Sequence, residues 1–168
     1  MAKARWLNFL IITGCILSGL LAGGNVDRYV VQVPAWRQVN ILNWSAYSRH
    51  ADLGNGIFLY PLEAILSFLM LFISSIIVLV NKPLFKLIAL PLHLATILSA
   101  VGLFFTFFAA PVMLSIGTMD NNISQLQRAF DKFHFWGLLR AVAQSLSFFA
   151  SIFALREVIK CSYNRLSI

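Results

Sequence analysis

Two ionisable residues stand inside apolar runs where charge is expensive. Glu63 interrupts the run from Gly56 to Val80, and Arg140 the run from Phe135 to Leu155. An unpaired charge at hydrocarbon depth costs at least about 2.5–3.5 kcal/mol on insertion scales. The carboxylate and the guanidinium are therefore expected to pair. Such a pair can lock one helix against another, or it can orient the polar end of a ligand and hold a proton. His134, His50 and Asp52 sit at the outer mouths of the runs and are the candidates for moving protons. With Glu63 and Arg140, His134 completes the candidate catalytic set. Imidazole beside carboxylate also suits copper, zinc or non-heme iron, which makes His50, Asp52 and His134 the candidate metal ligands. No two histidines share a helical face at i,i+4, and neither HxH nor HExxH occurs, so the spacing of a metal site is missing. His93 is isolated and reads as a hydrogen-bonded interior residue.

The elements that must carry these residues are membrane-spanning helices. Of 168 residues, 60% are hydrophobic and only 11% charged, against about a quarter charged in a soluble domain. Apolar runs cover residues 6–24, 56–80, 87–110 and 135–156. Each is near the roughly 20 residues that cross a hydrocarbon core of about 30 Å. The fold class is thus all-α: an integral membrane, up-down bundle of four helices. The segment after the first run is a poor cleavage site, so that run is read as retained rather than as a signal peptide. The short turn Asn81–Lys86 makes the second and third helices antiparallel neighbours. In the long loop Asn25–Asn55, Pro34 can open a helix, and Trp36, Val39, Asn43 and Tyr47 recur at helical spacing. This predicts an interfacial helix on the outer surface. Ile123, Leu126, Phe130 and Phe133 extend the fourth helix beyond the membrane, with Asp120 or Asn121 as its cap. Pro111 is expected to end or kink the third.

A net charge of +7 would suggest nucleic acid in a soluble chain. Here little surface is free for a basic patch, and the cations flank the apolar runs, so the lipid bilayer is the partner and nucleic acid is not. Lys3, Arg5, Lys82, Lys86, Arg156, Lys160 and Arg165 fall on one side, and Arg28, Arg37, Arg49, Arg128 and Lys132 on the other. The positive-inside rule puts both termini in the cytoplasm, in a plasma membrane. Cys15 and Cys161 lie too far apart along this topology to form a disulfide.

Polar residues on a spanning helix mark its interior face. Asp52, Gly56, Tyr60, Glu63, Ser67, Met70 and Ser74 form one stripe, and Gly137, Arg140, Gln144, Ser147 and Ser151 another. His93, Thr96, Ser99 and Thr106 lie on one side of the third helix. The first carries small residues from Cys15 to Asn25, with Gly19 and Gly23 at the spacing that lets two backbones approach. The stripes are expected to meet in an interior whose outer half is the more polar, since Asn25, Asp27, Arg28, Asp52, Glu63, His134 and Arg140 lie there, with Asp27 and Arg28 either capping the first helix or pairing with Arg49 and Asp52. There, Asn25, Asp52, Tyr60 and Gln144 are the candidate ligand-binding residues, and a small amphipathic or quinone-like molecule is the expected ligand. Two alternatives share these residues: a non-catalytic membrane subunit in which they only hold helices together, and a small transporter with a route past Ser67, Ser74 and His93.

Several segments carry a resemblance. They are Val33-Pro34-Ala35-Trp36, the run from Trp44 to Gly56, Tyr60-Pro61-Leu62-Glu63, Ala110-Pro111-Val112-Met113, and Phe133-His134-Phe135-Trp136 leading to Arg140. In this order they resemble the four-helix membrane proteins grouped with the fungal anthrone oxygenases. The resemblance spans most of the chain. It implies a small four-helix membrane fold and, for the anthrone oxygenase members, oxidation of a polycyclic phenolic substrate to a quinone. The position it singles out is Arg140, after an aromatic-rich approach. No recognisable cofactor motif accompanies it.

Overall fold

A computed structural model describes residues 2–166, with side chains over 5–81 and 86–160. Lys3, Lys82, Cys161 and Arg165, which entered the charge and cysteine readings, lie outside the described side chains. The chain forms α1 (Ala2–Asp27), α2 (Val33–Gln38), α3 (Ile41–His50), α4 (Gly56–Val80), α5 (Lys82–Ile116) and α6 (Ile123–Leu166). There are four helices long and apolar enough to cross a membrane, and no strand among the described residues. The protein is an all-α integral membrane bundle.

The longest helix exceeds what a hydrocarbon core requires. At 1.5 Å per residue, α6 with its 44 residues is about 66 Å long, twice a hydrocarbon core. The loop between α1 and α4 is helical almost throughout. A π turn at Arg28–Gln32 joins α1 to α2, and a second at Ala51–Asn55 joins α3 to α4, with non-helical backbone at Gly54. The single helix expected through Trp36, Val39, Asn43 and Tyr47 is instead broken at Val39 and Asn40, both extended. Asn40 causes the break: its side chain accepts from Leu42 N at 3.0 Å and starts α3 as an N-cap. Two further details follow. Pro111 does not end the third spanning helix but lies inside α5, which runs on to Ile116. The cap of α6 is Asn122, whose Oδ1 accepts from Ser124 N and Gln125 N, rather than Asp120 or Asn121.

The spanning helices form a ring in the order α1, α4, α5, α6, with α1 closing against α6. Each neighbouring pair shares a buried polar bond. Ser18 and Ser67 join α1 to α4 at 2.8 Å. Thr96 Oγ1 donates to Leu71 O between α5 and α4, and Ser147 Oγ donates to Ala95 O between α6 and α5. Asn25 Nδ2 donates to Gln144 Oε1 at 2.6 Å between α1 and α6. Lipid tails give helices no hydrophobic reason to associate, so these bonds and close packing hold the ring.

Two dry cores sit at opposite ends. The terminal end packs Leu7, Ile11, Leu71, Val78, Ile88 and Leu92 with Ala150, Ala154 and Val158. The loop end packs Trp44, Met113, Ile116, Leu126, Phe130 and Phe133 into a cap. Close approach of α1 uses Gly19, where an added Cβ would lie 2.9 Å from the Phe148 ring of α6. Gly23, the other residue of the predicted spacing, has nothing within 4 Å. Gly19→Val is therefore expected to cost about 1–3 kcal/mol through overpacking, while Gly23→Ala leaves stability unchanged. Thermal unfolding of both variants in one detergent checks this, and equal losses would refute it.

Candidate functional site

Between the two cores the helices do not close. A cavity of about 380 Å³ occupies the loop-side half of the bundle, within the usual range of small-molecule sites. Apolar walls come from Leu20, Leu21, Ile57, Ala110, Met113 and Leu114. Leu20, Ile57, Tyr60 and Leu114 are also exposed on the bundle surface, so the cavity communicates with its flank. The polar wall holds Asn25, Asp52, Tyr60, Glu63, Arg140 and Gln144. All four candidate ligand-binding residues, and two of the three candidate catalytic ones, are thus brought to one space.

An ion pair closes the loop side. Arg28 Nη2 donates to Asp52 Oδ1 at 2.5 Å, and the two side chains are only 9% and 5% exposed. The π turn positions Arg28 and the second π segment positions Asp52, so the pair ties the end of α1 to the start of α4. Three aromatic faces surround the guanidinium: Tyr60 at 5.4 Å, and Trp36 and Phe133 at 5.9 Å. Cation–π contact on these rings adds to the attraction of the carboxylate. On the α6 side, the Asn25–Gln144 bond continues the polar wall. Gln144 fits there because Gly102 faces it: a Cβ on that glycine would lie 2.8 Å from Gln144 Cγ. The hydroxyl of Tyr29 lies against Gly137 and donates to His134 O at 3.3 Å.

Glu63 and Arg140 do not pair, contrary to the sequence expectation. Neither makes an ion pair or hydrogen bond with any described residue. The reason is the ring order. Glu63 is on α4 and Arg140 on α6, which face each other across the bundle diagonal with α1 and α5 between them. Both line the cavity from opposite walls.

His134 is absent from the cavity lining. Its ring sits in a box of Phe130 at 4.2 Å, Phe133 at 5.4 Å, Trp36 at 5.7 Å, and Tyr29 and Trp44 at 6.1 Å. Both of its ring nitrogens are buried without a protein partner, as are Trp44 Nε1, Ser48 Oγ and Asp52 Oδ2. The candidate metal set is not assembled: His50 is exposed, Asp52 is engaged by Arg28, and His134 is boxed by rings. Among the described residues no three His, Cys, Asp or Glu side chains are grouped to hold a metal. His93, at the other end, meets the Ser75 hydroxyl.

Sequence reading placed Arg28 and Thr106 on the polar interior but passed over Gln32, Leu20 and Met113 in the wall. A signal for Gln32 was present. Arg28 and Gln32 follow Asn25 at i+3 and i+7, so the polar face of α1 continues past its last glycines. The arrangement can hold a molecule with an apolar body and a polar end, and the polar end would meet charge on two walls.

The two charge sets should respond differently to mutation. Asp52→Asn is expected to cost about 3–5 kcal/mol, because it leaves Arg28 buried and uncompensated. Glu63→Gln and Arg140→Gln should combine additively, with a coupling below about 0.5 kcal/mol. Chemical unfolding of the single and double variants in detergent measures both, and strong coupling between positions 63 and 140 would contradict the separation described above.

Comparison of the chain with family models, with curated proteins and with solved structures gives no match. The role of the cavity is therefore argued from its own residues.

Proposed function

We propose that the protein binds a small amphipathic or quinone-like molecule in this cavity, with the cavity in the outer half of a plasma-membrane bundle whose termini are both cytoplasmic. The observation that carries the reading is an open space of about 380 Å³ walled by both lipid-compatible side chains and charged ones. A bundle that served only to hold helices together would gain by filling that space, since every void forfeits packing contacts. The exposed rim residues Leu20, Ile57 and Leu114 suit a ligand that arrives through the bilayer.

Redox chemistry on a phenolic ligand is the extension that the resemblance to the anthrone oxygenases supports. In that reading Glu63 and Arg140 orient the polar end of the ligand. The transporter reading is disfavoured by the far side of the cavity. Ser67 and Ser74 are 1% and 0% exposed, bonded to Ser18 and to Met70 O, and the dry terminal core follows.

Native mass spectrometry of the protein in mild detergent, followed by solvent extraction, tests the reading. A bound amphiphile is expected on the wild type. Ala110→Trp, which fills the wall from α5, should weaken its retention at least about tenfold while thermal unfolding stays near the wild-type temperature. Retention of the same adduct by a folded Ala110→Trp protein would put the ligand elsewhere.

A further inference from the structure

Glu63 and Arg140 leave two opposite charges on the wall of one cavity, from α4 and α6, each without an ion pair or hydrogen bond among the described residues. Of the other charges there, Arg28 is bound by Asp52, and Asp27 is exposed and accepts from the neutral amide of Gln32 at 2.5 Å. The charges that lie inside the wall without an ion-pair or hydrogen-bond partner are therefore one cation on α6 and one anion on α4, with apolar side chains around them.

This pattern restricts the head of the ligand. A purely anionic head would satisfy Arg140 and be repelled by Glu63. A purely cationic head would do the reverse. An uncharged head would leave two ionised groups in a low-dielectric space with weak partners, where an unpaired charge is costly. A head that carries both signs answers both groups at once, through charge-assisted hydrogen bonds that are about twice as strong as neutral ones. We propose that the ligand is a zwitterionic amphiphile, its oxyanion held by Arg140, its ammonium held by Glu63, and its single apolar chain lying along Leu20, Ile57, Met113 and Leu114. A phosphoethanolamine head on one acyl chain is the simplest member of this class. The rim residues let the end of the chain run out toward the bilayer. This inference rests on the cavity being a binding site, as argued above, and adds the chemical class of the occupant.

The test compares four single-chain probes of equal chain length by native mass spectrometry of the full-length wild-type protein in mild detergent. They are lysophosphatidylethanolamine, lysophosphatidic acid, a primary alkylamine and a monoacylglycerol. The zwitterion is expected to bind at least about tenfold more tightly than each of the other three. Glu63→Gln should bring it down to the level of the lysophosphatidic acid. Arg140→Gln should bring it down to that of the alkylamine. Circular dichroism confirms that each variant is folded, and the wild-type probe series stands even if one is not. Lysophosphatidic acid or alkylamine binding as tightly as the zwitterion would overturn the proposal, because one charged wall would then suffice. Equal binding of the monoacylglycerol would overturn it too, while leaving the cavity a binding site. Failure of all four probes to bind would overturn this inference, while an adduct lost in the Ala110→Trp protein would still uphold the reading on which it rests.

Discussion

The contact on which the loop side of this molecule depends is the ion pair between Arg28 and Asp52. Both groups are buried and 2.5 Å apart, at the level where the bundle gives way to its helical cap. A lone guanidinium or carboxylate at this place would carry a desolvation cost of several kcal/mol. The pair is tolerable only while the two π segments bring their residues together, so the turns and the charges fix one another. From that anchor α3 is laid against the first turns of α6, which buries Trp44 completely and encloses His134 in rings. The cap of Trp44, Met113, Ile116, Phe130 and Phe133 then seals the loop side of the cavity.

Below the anchor the bundle obeys a different constraint. Polar atoms within the hydrocarbon must find partners inside the protein. Serine, threonine, asparagine and glutamine meet this by bonding to the next helix round the ring, one junction after another. The small side chains that make those bonds also allow close approach, as Gly19 does against Phe148. The bond between Asn25 and Gln144 lies on the wall of the cavity. There the ring encloses space rather than a dry core.

The architecture was readable in the sequence because hydrocarbon thickness imposes a length and lipid imposes a polarity. Four apolar runs became four spans, and the residues on their polar stripes, from Asn25 and Gln144 to Tyr60, Glu63 and Arg140, do line one cavity. Stripes fix which face of a helix looks inward, but not which helix stands opposite. That is why Glu63 and Arg140 read as a pair although the ring order puts α4 and α6 on a diagonal. The pair that does form, Arg28 with Asp52, was among the partners the sequence offered at the outer mouth, whereas the π turns that bring the two residues together were not legible in it. The break at Asn40 was also legible in principle, since asparagine is a strong N-cap, but the aromatic spacing of Trp36 and Tyr47 spoke for a continuous helix. Those two rings do meet, 5.5 Å apart, across the break rather than along one face.

A folded chain satisfies its buried charges unless something else has use for them. Asp52 and Arg28 show that this bundle can bring a carboxylate to a guanidinium where stability requires it. The same chain leaves Glu63 and Arg140, both partly buried, on the wall of an open space with no ion pair or hydrogen bond between them. Local rules that are broken without a compensating contact cluster at functional sites. Three such departures coincide here: an unfilled volume, a free cation and a free anion among the described residues. Any one of them could be an accident of packing. Together they describe the complement of a molecule with a charged, two-sided head and an apolar body, and that molecule would supply both the missing contacts and the missing partners.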